Sequence, residues 1–341
     1  IVNSVKCIGY GLLAIGIGLL CGCTHPFDNH MNTPSENFEA LWEIIDEKYC
    51  LFADKQVDWD SVYAEYEPQF DTMQIKQFDD NHRMFDLMEQ MLNTLEDGHV
   101  NLYSPFDVSA CSSWYEGYPA NFDSEILSQY YLKDYRRAGG LNYCKIDGDS
   151  IGYVYYSSFS NSFSQLNWLM VLNYFADCKG IVLDVRNGGG SMENAYRMAA
   201  PFFSHDTVVG YWQHKSGRGH EEFSEIAPMK MEESKGNWMR PVGVMWNRHS
   251  YSAANFFVSI MRYADNCLVL GGKSGGGGGM PMSYELPNGW MVRFSSVKMY
   301  DREMQSIENG IRPHLLVNQH SEDKDDLIEE AIDLIYSAYK K

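Results

Sequence analysis

Three stretches of the chain each read as an apolar strand running into a turn rich in Gly or Ser. Turns of that kind bring backbone amides and side chains close to a ligand. The first is Val182-Leu183-Asp184-Val185-Arg186-Asn187-Gly188-Gly189-Gly190-Ser191. A charged pair closes the strand, and consecutive glycines then open a helix whose amides could stabilise a developing oxyanion. Read alone, the same letters also describe a tight strand–helix turn with Asp184 and Arg186 in structural hydrogen bonds. The second stretch runs Val244-Met245-Trp246-Asn247-Arg248-His249-Ser250-Tyr251-Ser252-Ala253-Ala254-Asn255-Phe256. A serine at such a junction is exposed, and its neighbouring amides point at whatever it attacks. On its own, Ser250 or Ser252 could equally be a helix N-cap. The third is Gly271-Gly272-Lys273-Ser274 followed by glycines 275 to 279. A phosphate-binding P-loop would need Gly where Cys267 stands, so the run reads instead as the lining of a substrate groove, with Gly275, Gly276 and Gly277 at its centre.

These turns need a scaffold. Strand patterns fall at Ile151–Tyr156, Gly180–Val185, Val208–Gln213, Val242–Trp246 and Leu268–Leu270, with helical patterns at Phe163–Phe175, Met192–Phe203 and Ser252–Tyr263 between them. That alternation predicts an α/β core. A hairpin from Met282–Leu286 to Trp290–Val297 turns at Asn288-Gly289, and residues 325–339 form a closing amphipathic helix. Upstream, Thr33-Pro34-Ser35-Glu36 carries the N-cap, first-turn proline and capping-box glutamate of a helix start. Further helices are expected near Trp59–Tyr66 and Phe78–Leu95, with Gly98 as a stop. Residues 33–98 thus read as a small helical bundle ahead of an α/β core over 99–341.

Composition narrows the class. The chain has 341 residues, 45% of them apolar, so it can bury a substantial core. Its net charge is −19, from 46 acidic against 27 basic residues, and such a surface repels phosphate backbones, which excludes nucleic acid as a partner. The Cys7 to Gly22 run is apolar, follows Lys6 and is short for a membrane span. It ends Leu20-Cys21-Gly22-Cys23, which resembles the bacterial lipobox. Residues 1–22 then read as a lipoprotein signal peptide, Cys23 as the lipidated residue and 23–32 as a tether. The expected location is the bacterial cell envelope, on the outer membrane through that anchor. The five cysteines beyond the leader are odd in number and lack metal-ligand spacing, so no zinc site or disulfide framework is read; a Cys111–Cys144 bridge stays open.

In order and spacing the three turns resemble the tail-specific (C-terminal-processing) serine protease family. Its members carry an Asp-x-Arg-Asn-x-Gly-Gly turn, a Ser-Ala nucleophile helix and a Gly-rich loop. Leu95-Glu96-Asp97-Gly98-His99-Val100 and Ile307-Glu308-Asn309-Gly310-Ile311-Arg312-Pro313-His314 match flanking segments of the same family. The resemblance implies a crotonase/Clp-protease-like β/α core and an endopeptidase acting on polypeptides without cofactor or metal. Ser252 is then the nucleophile, and Ala253 with Gly189 or Gly190 forms the oxyanion hole. Where many members carry a dyad lysine in the Gly-rich loop, Gly277 stands here. The branch resembling the tricorn core uses a histidine base supported by an acid, which places His99 and Glu308 in those roles. That branch has Ser before the histidine where this chain has Gly98. Asn255 and His314 are further departures. The interval between His99 and Ile151 is too short for the family's PDZ module. A catalytically inactive peptide- or lipid-binding protein on the same scaffold is the competing expectation, and an esterase using the same serine is a third.

Overall fold

The computed structural model describes residues 30–234 and 238–339. The signal peptide, the lipobox and Cys23 lie outside the described residues. Four helices come first: α1 (Pro34–Lys48), α2 (Phe52–Lys55), α3 (Trp59–Asp71) and α4 (Phe78–Asn93). The expected start of α1 forms, with the Thr33 side chain accepting from the Glu36 amide at 3.3 Å and Pro34 in the first turn. Then follow β1 (Asn101–Tyr103), α5 (Ser124–Ile126), β2 (Arg136–Ala138), β3 (Leu141–Ile146) and β4 (Ile151–Tyr155). The chain continues through α6 (Gln165–Tyr174), β5 (Gly180–Asp184), α7 (Met192–Ala199), β6 (Thr207–His214), β7 (Ala227–Met231) and β8 (Val242–Trp246). It ends with α8 (Ala253–Met261), β9 (Cys267–Gly271), β10 (Gly279–Glu285), β11 (Met291–Asp301), β12 (Leu315–Leu316) and α9 (Asp326–Tyr339).

The larger sheet has the order β12-β9-β8-β5-β4-β3-β2, with β4, β5, β8, β9 and β12 parallel. Its central strands are apolar on both faces because both faces are covered. Ile181 and Leu183 pack towards α6, α7 and α8, whereas Val182, Met245 and Leu270 meet Leu327, Ile328 and Ala331 of α9. The segments at the carboxyl ends of the parallel strands are the three Gly- and Ser-rich turns, so this topology collects them along one edge, where open α/β sheets bind ligands.

A second sheet is built on the long strand β11, which pairs with β10 along one side and with β1 and then β6 along the other, β7 completing it. Val292 and Phe294 on one face of β11, with Leu286 and Trp290, share a single core with Phe38, Leu41, Phe70, Phe85 and Met88 of the helices. The N-terminal helices therefore close their core on the hairpin rather than on themselves alone. Among the described residues, the interval between His99 and Ile151 holds short strands, a short helical stretch from Ser124 to Tyr131 and loops, and no separate inserted domain.

Candidate active site

The turn after β8 fixes Ser252. The Ala254 amide donates to the Tyr251 carbonyl at 3.1 Å, closing a β-turn whose second residue is Ser252 at φ +56°, ψ −116°. This is the conformation of the second residue of a type II′ turn, which favours glycine, and it costs a non-glycine residue about 1–3 kcal/mol. Neighbours hold it there. The Ser252 amide donates to the Gly276 carbonyl at 2.8 Å, and the Tyr251 amide to the Gly188 carbonyl at 3.0 Å. Asn247 and Asn187 clamp the turns after β8 and β5 together, through Asn187 N–H to Asn247 Oδ1 at 3.1 Å and Asn247 Nδ2 to Asn187 Oδ1 at 2.7 Å. Behind them Arg186 forms a bidentate pair with Asp184 and a second ion pair with Asp325 at 2.7 Å, all buried. Asp184 and Arg186 thus serve the frame rather than the cleft.

Four features converge on Ser252. His99 Nε2 lies 2.9 Å from its Oγ, although the two residues are 153 positions apart in the sequence. The amides of Ala253, Gly189 and Gly190 donate to no other described residue. Gly190 at φ +130° must be glycine, since a Cβ would lie 2.3 Å from the Ser160 nitrogen. Gly275, Gly276 and Gly277 run past the serine, and the Gly275 amide donates to the Ser250 carbonyl at 2.9 Å.

Glu308 faces elsewhere. Its Oε1 pairs with Lys55 Nζ at 2.8 Å and its Oε2 accepts the Gly278 amide at 2.7 Å. Its carbonyl accepts the Gly277 amide at 3.0 Å. It braces the Gly-rich loop and does not touch His99, whose Nδ1 is buried without a hydrogen-bond partner among the described residues. The carboxylate nearest in the chain to the imidazole is Asp97, which the sequence reading quoted in a motif but gave no role. Asp97 accepts the His99 amide at 2.7 Å and the Tyr251 hydroxyl at 3.2 Å on Oδ1, and the Tyr49 and Ser295 hydroxyls at 3.1 and 2.9 Å on Oδ2.

The charges follow from this packing. Burial pushes the His99 imidazole down to about 4, with Asp97 opposing and Arg293 and Lys55 reinforcing the shift. Burial would raise Asp97, yet the charges of His99 and Lys55 and its hydrogen bonds hold it below the ordinary value. Burial and then the charge of Asp97 push Glu308 up to about 8, against Lys55. One cation thus faces two carboxylates, and Glu308 is the one that keeps a proton near neutrality.

Tyr251 explains two departures from the family pattern. Its ring occupies the space beside Gly277, where a Cβ would lie 2.5 Å from Cζ, and Gly277 has φ +77°. No lysine can be seated there. Its hydroxyl also lies 3.0 Å from where a Gly98 Cβ would be, with Trp114 Nε1 at 2.6 Å, so a serine does not fit either. Trp114 stacks on Tyr251 at 4.2 Å between ring centroids, and the Tyr251 ring tilts against His99 at 4.9 Å. Only the position of Tyr251 beside the nucleophile hinted at this. Asn255 is structural: it donates to the Ile307 carbonyl at 3.0 Å and accepts from Ser274 at 2.7 Å. His249 packs against Tyr115 and Trp114. Among the described residues all five cysteines are free, Cys111 and Cys144 included, and no cluster of ligands for a metal forms.

The profile of peptidase family S41 matches residues 150–317, and that of the tricorn protease C1 domain matches residues 32–93. A solved candidate peptidase from Parabacteroides merdae is 45% identical, with a TM-score of 0.83, over 89% of this chain and 96% of that one. The chain belongs to peptidase family S41. A probable CtpA-like serine protease of Staphylococcus saprophyticus is 28% identical over 167 residues, and the match spans 33% of that relative's length. Mature CPAF shares the S41 fold at 11% identity with a TM-score of 0.63, as does tricorn protease at 13% and 0.57.

Proposed function

We propose that the chain is a serine endopeptidase that hydrolyses peptide bonds through an acyl-enzyme on Ser252, with His99 as general base. The observation that carries the reading is the His99 Nε2–Ser252 Oγ approach of 2.9 Å, beside amides left free at Ala253, Gly189 and Gly190. His99 takes the hydroxyl proton as Oγ attacks the carbonyl carbon, and the oxyanion is held by Ala253 N–H and an amide of Gly189 or Gly190. Collapse breaks the C–N bond while His99 returns the proton to the leaving amine. Water then repeats the sequence on the acyl carbon and restores Ser252.

Among the described residues no acceptor faces His99 Nδ1, so it is the charge of Asp97 that stabilises the imidazolium formed in each step, through space. Glu308 acts one step back, by fixing the loop whose Gly276 carbonyl holds the Ser252 amide. A scaffold that merely binds would have no use for a strained serine paired with a neutral histidine. The test is soluble protein beginning after Cys23, on unfolded casein. Wild type cleaves, and Ser252→Ala and His99→Ala each lose about 10²-fold or more. Casein cleavage that survives Ser252→Ala disproves the assignment. We also propose the lipid anchor at Cys23 and an envelope location on the lipobox resemblance; labelled fatty acid incorporated by wild type and equally by Cys23→Ala would refute it.

A further inference from the structure

Among the described residues no carboxylate pairs with Arg293, in a strongly acidic chain. Residues alternate faces along β11. Val292 and Phe294 enter the helical core, while Ser295 on the other face donates to Asp97 at 2.9 Å. Arg293 lies on that catalytic face, opposite Asn101 of β1 and Ser283 of β10. Its Nη1 donates to the His99 carbonyl at 3.3 Å and to Asn101 Oδ1 at 3.0 Å, which aims the planar group beside the catalytic histidine. Nε and Nη2 have no partner among the described residues and are not sealed from solvent. Glu285, two residues along from Ser283, does not pair with it. Beyond Arg293 the face opens over half-buried Asn101 and exposed Ser283 and Tyr103.

We propose that Arg293 is a specificity-determining residue that receives a carboxylate of the substrate polypeptide, either an acidic side chain or the C-terminus. The inference rests on reading the Ser252–His99 cleft as a polypeptide site. The free edge of an anchored guanidinium matches carboxylate geometry, which an ammonium does not reproduce. In a chain of net charge −19, acidic polypeptides are disfavoured at long range, and a cation beside the catalytic histidine with no carboxylate partner among the described residues supplies a local exception.

The test uses full-length Ser252→Ala protein and fluorescein-labelled short neutral peptides read by anisotropy. One peptide ends in a free carboxylate, one in an amide, and one amidated peptide carries a single Glu. At least one carboxylate-bearing peptide should bind about tenfold tighter than the neutral amide. The advantage should vanish in Ser252→Ala/Arg293→Met, shrink in Ser252→Ala/Arg293→Lys, and weaken with added salt. Whichever carboxylate shows the effect identifies its source. Equal binding of all peptides, or an advantage that survives Arg293→Met or is indifferent to salt, overturns the proposal. The salt series on Ser252→Ala decides the matter even where Arg293→Met fails to fold. Casein cleavage by wild type is scored separately, so carboxylate binding without turnover refutes the peptidase reading and leaves Arg293 standing.

Discussion

The His99 ring is buried, neutral and, among the described residues, without a partner on Nδ1; burial, Arg293 and Lys55 lower its basicity, and Asp97 is the charge that raises it. Since the base must be unprotonated, activity should persist well below the ordinary histidine range and fail only as pH approaches about 4. Asp97→Asn removes the group that raises the His99 value. The acid limb should therefore move lower still, while the maximal rate drops about 10–100-fold because the imidazolium is less stabilised. A pH–rate profile of kcat/KM for both proteins checks this, and an acid limb near 6.5 in wild type would contradict it. The strand–turn–helix over Val244–Phe256 offered Ser250 and Ser252 alike, as nucleophile or N-cap, and the family pattern is what singled out Ser252. His99 and Glu308 were legible only through the family pattern, which aligns letters and not directions. It placed Glu308 in the catalytic set without saying where its carboxylate turns, and in the structure that carboxylate turns to Lys55 and Gly278. Asp97 and Tyr251 carried no signal beyond adjacency, since their importance comes from contacts made across the whole chain.

At the scale of elements, the decisive piece is the Gly-rich loop between β9 and β10. It carries the Gly276 carbonyl that holds the Ser252 amide, and it passes so close to Tyr251 and residue 308 that side chains are excluded. Gly277→Ala should destabilise the protein by about 1 kcal/mol or more, from the positive φ and the clash with Tyr251. Peptidase activity should fall further than that loss accounts for, because the loop that fixes Ser252 must shift. Urea unfolding beside kcat measured at full occupancy of the fold separates the two effects. A Gly277→Ala enzyme of undiminished stability and rate would show that the loop has room the structure denies it. The parallel strands β4, β5, β8 and β9 were readable from the sequence because burial on both faces leaves continuous apolar runs. The strands missed, β1, β2, β3, β7 and β12, lie away from the centre; the first four carry Arg, Asn, Lys or Tyr at solvated positions, and β12 is only the two residues Leu315–Leu316. There, pairing with a neighbour rather than pattern makes the strand.

Across the whole molecule, the N-terminal helices and the catalytic sheet act as one body, joined by the core around Trp290 and by Lys55 reaching Glu308. The sequence showed α1, α3 and α4 but not the single-turn α2, nor that their core closes on the β10–β11 hairpin, because a hydrophobic stripe does not say what it faces. This union gives the fold a pH signature. Glu308 holds its proton to about 8 in the folded chain, whereas a carboxyl in the unfolded chain releases it near 4.5. Between those values the folded state binds more protons, so this group lowers stability as pH rises, by up to roughly 1.4 kcal/mol per pH unit. His99 acts oppositely. Its folded value near 4 lies below the unfolded 6.5, so stability grows as pH rises from 4 to 6.5. The two slopes offset each other up to about 6.5, beyond which that of Glu308 stands alone. Glu308→Gln mimics the protonated carboxyl and removes its titration. Relative to wild type, the variant should therefore gain stability steadily from pH 6.5 to 8 in urea unfolding. Its activity should stay within about threefold of wild type at pH 7, since an amide can still accept the Gly278 N–H. A parallel pair of stability curves would mean that Glu308 is already ionised at pH 7, paired with Lys55 as a salt bridge that ties helix α2 to the catalytic loop.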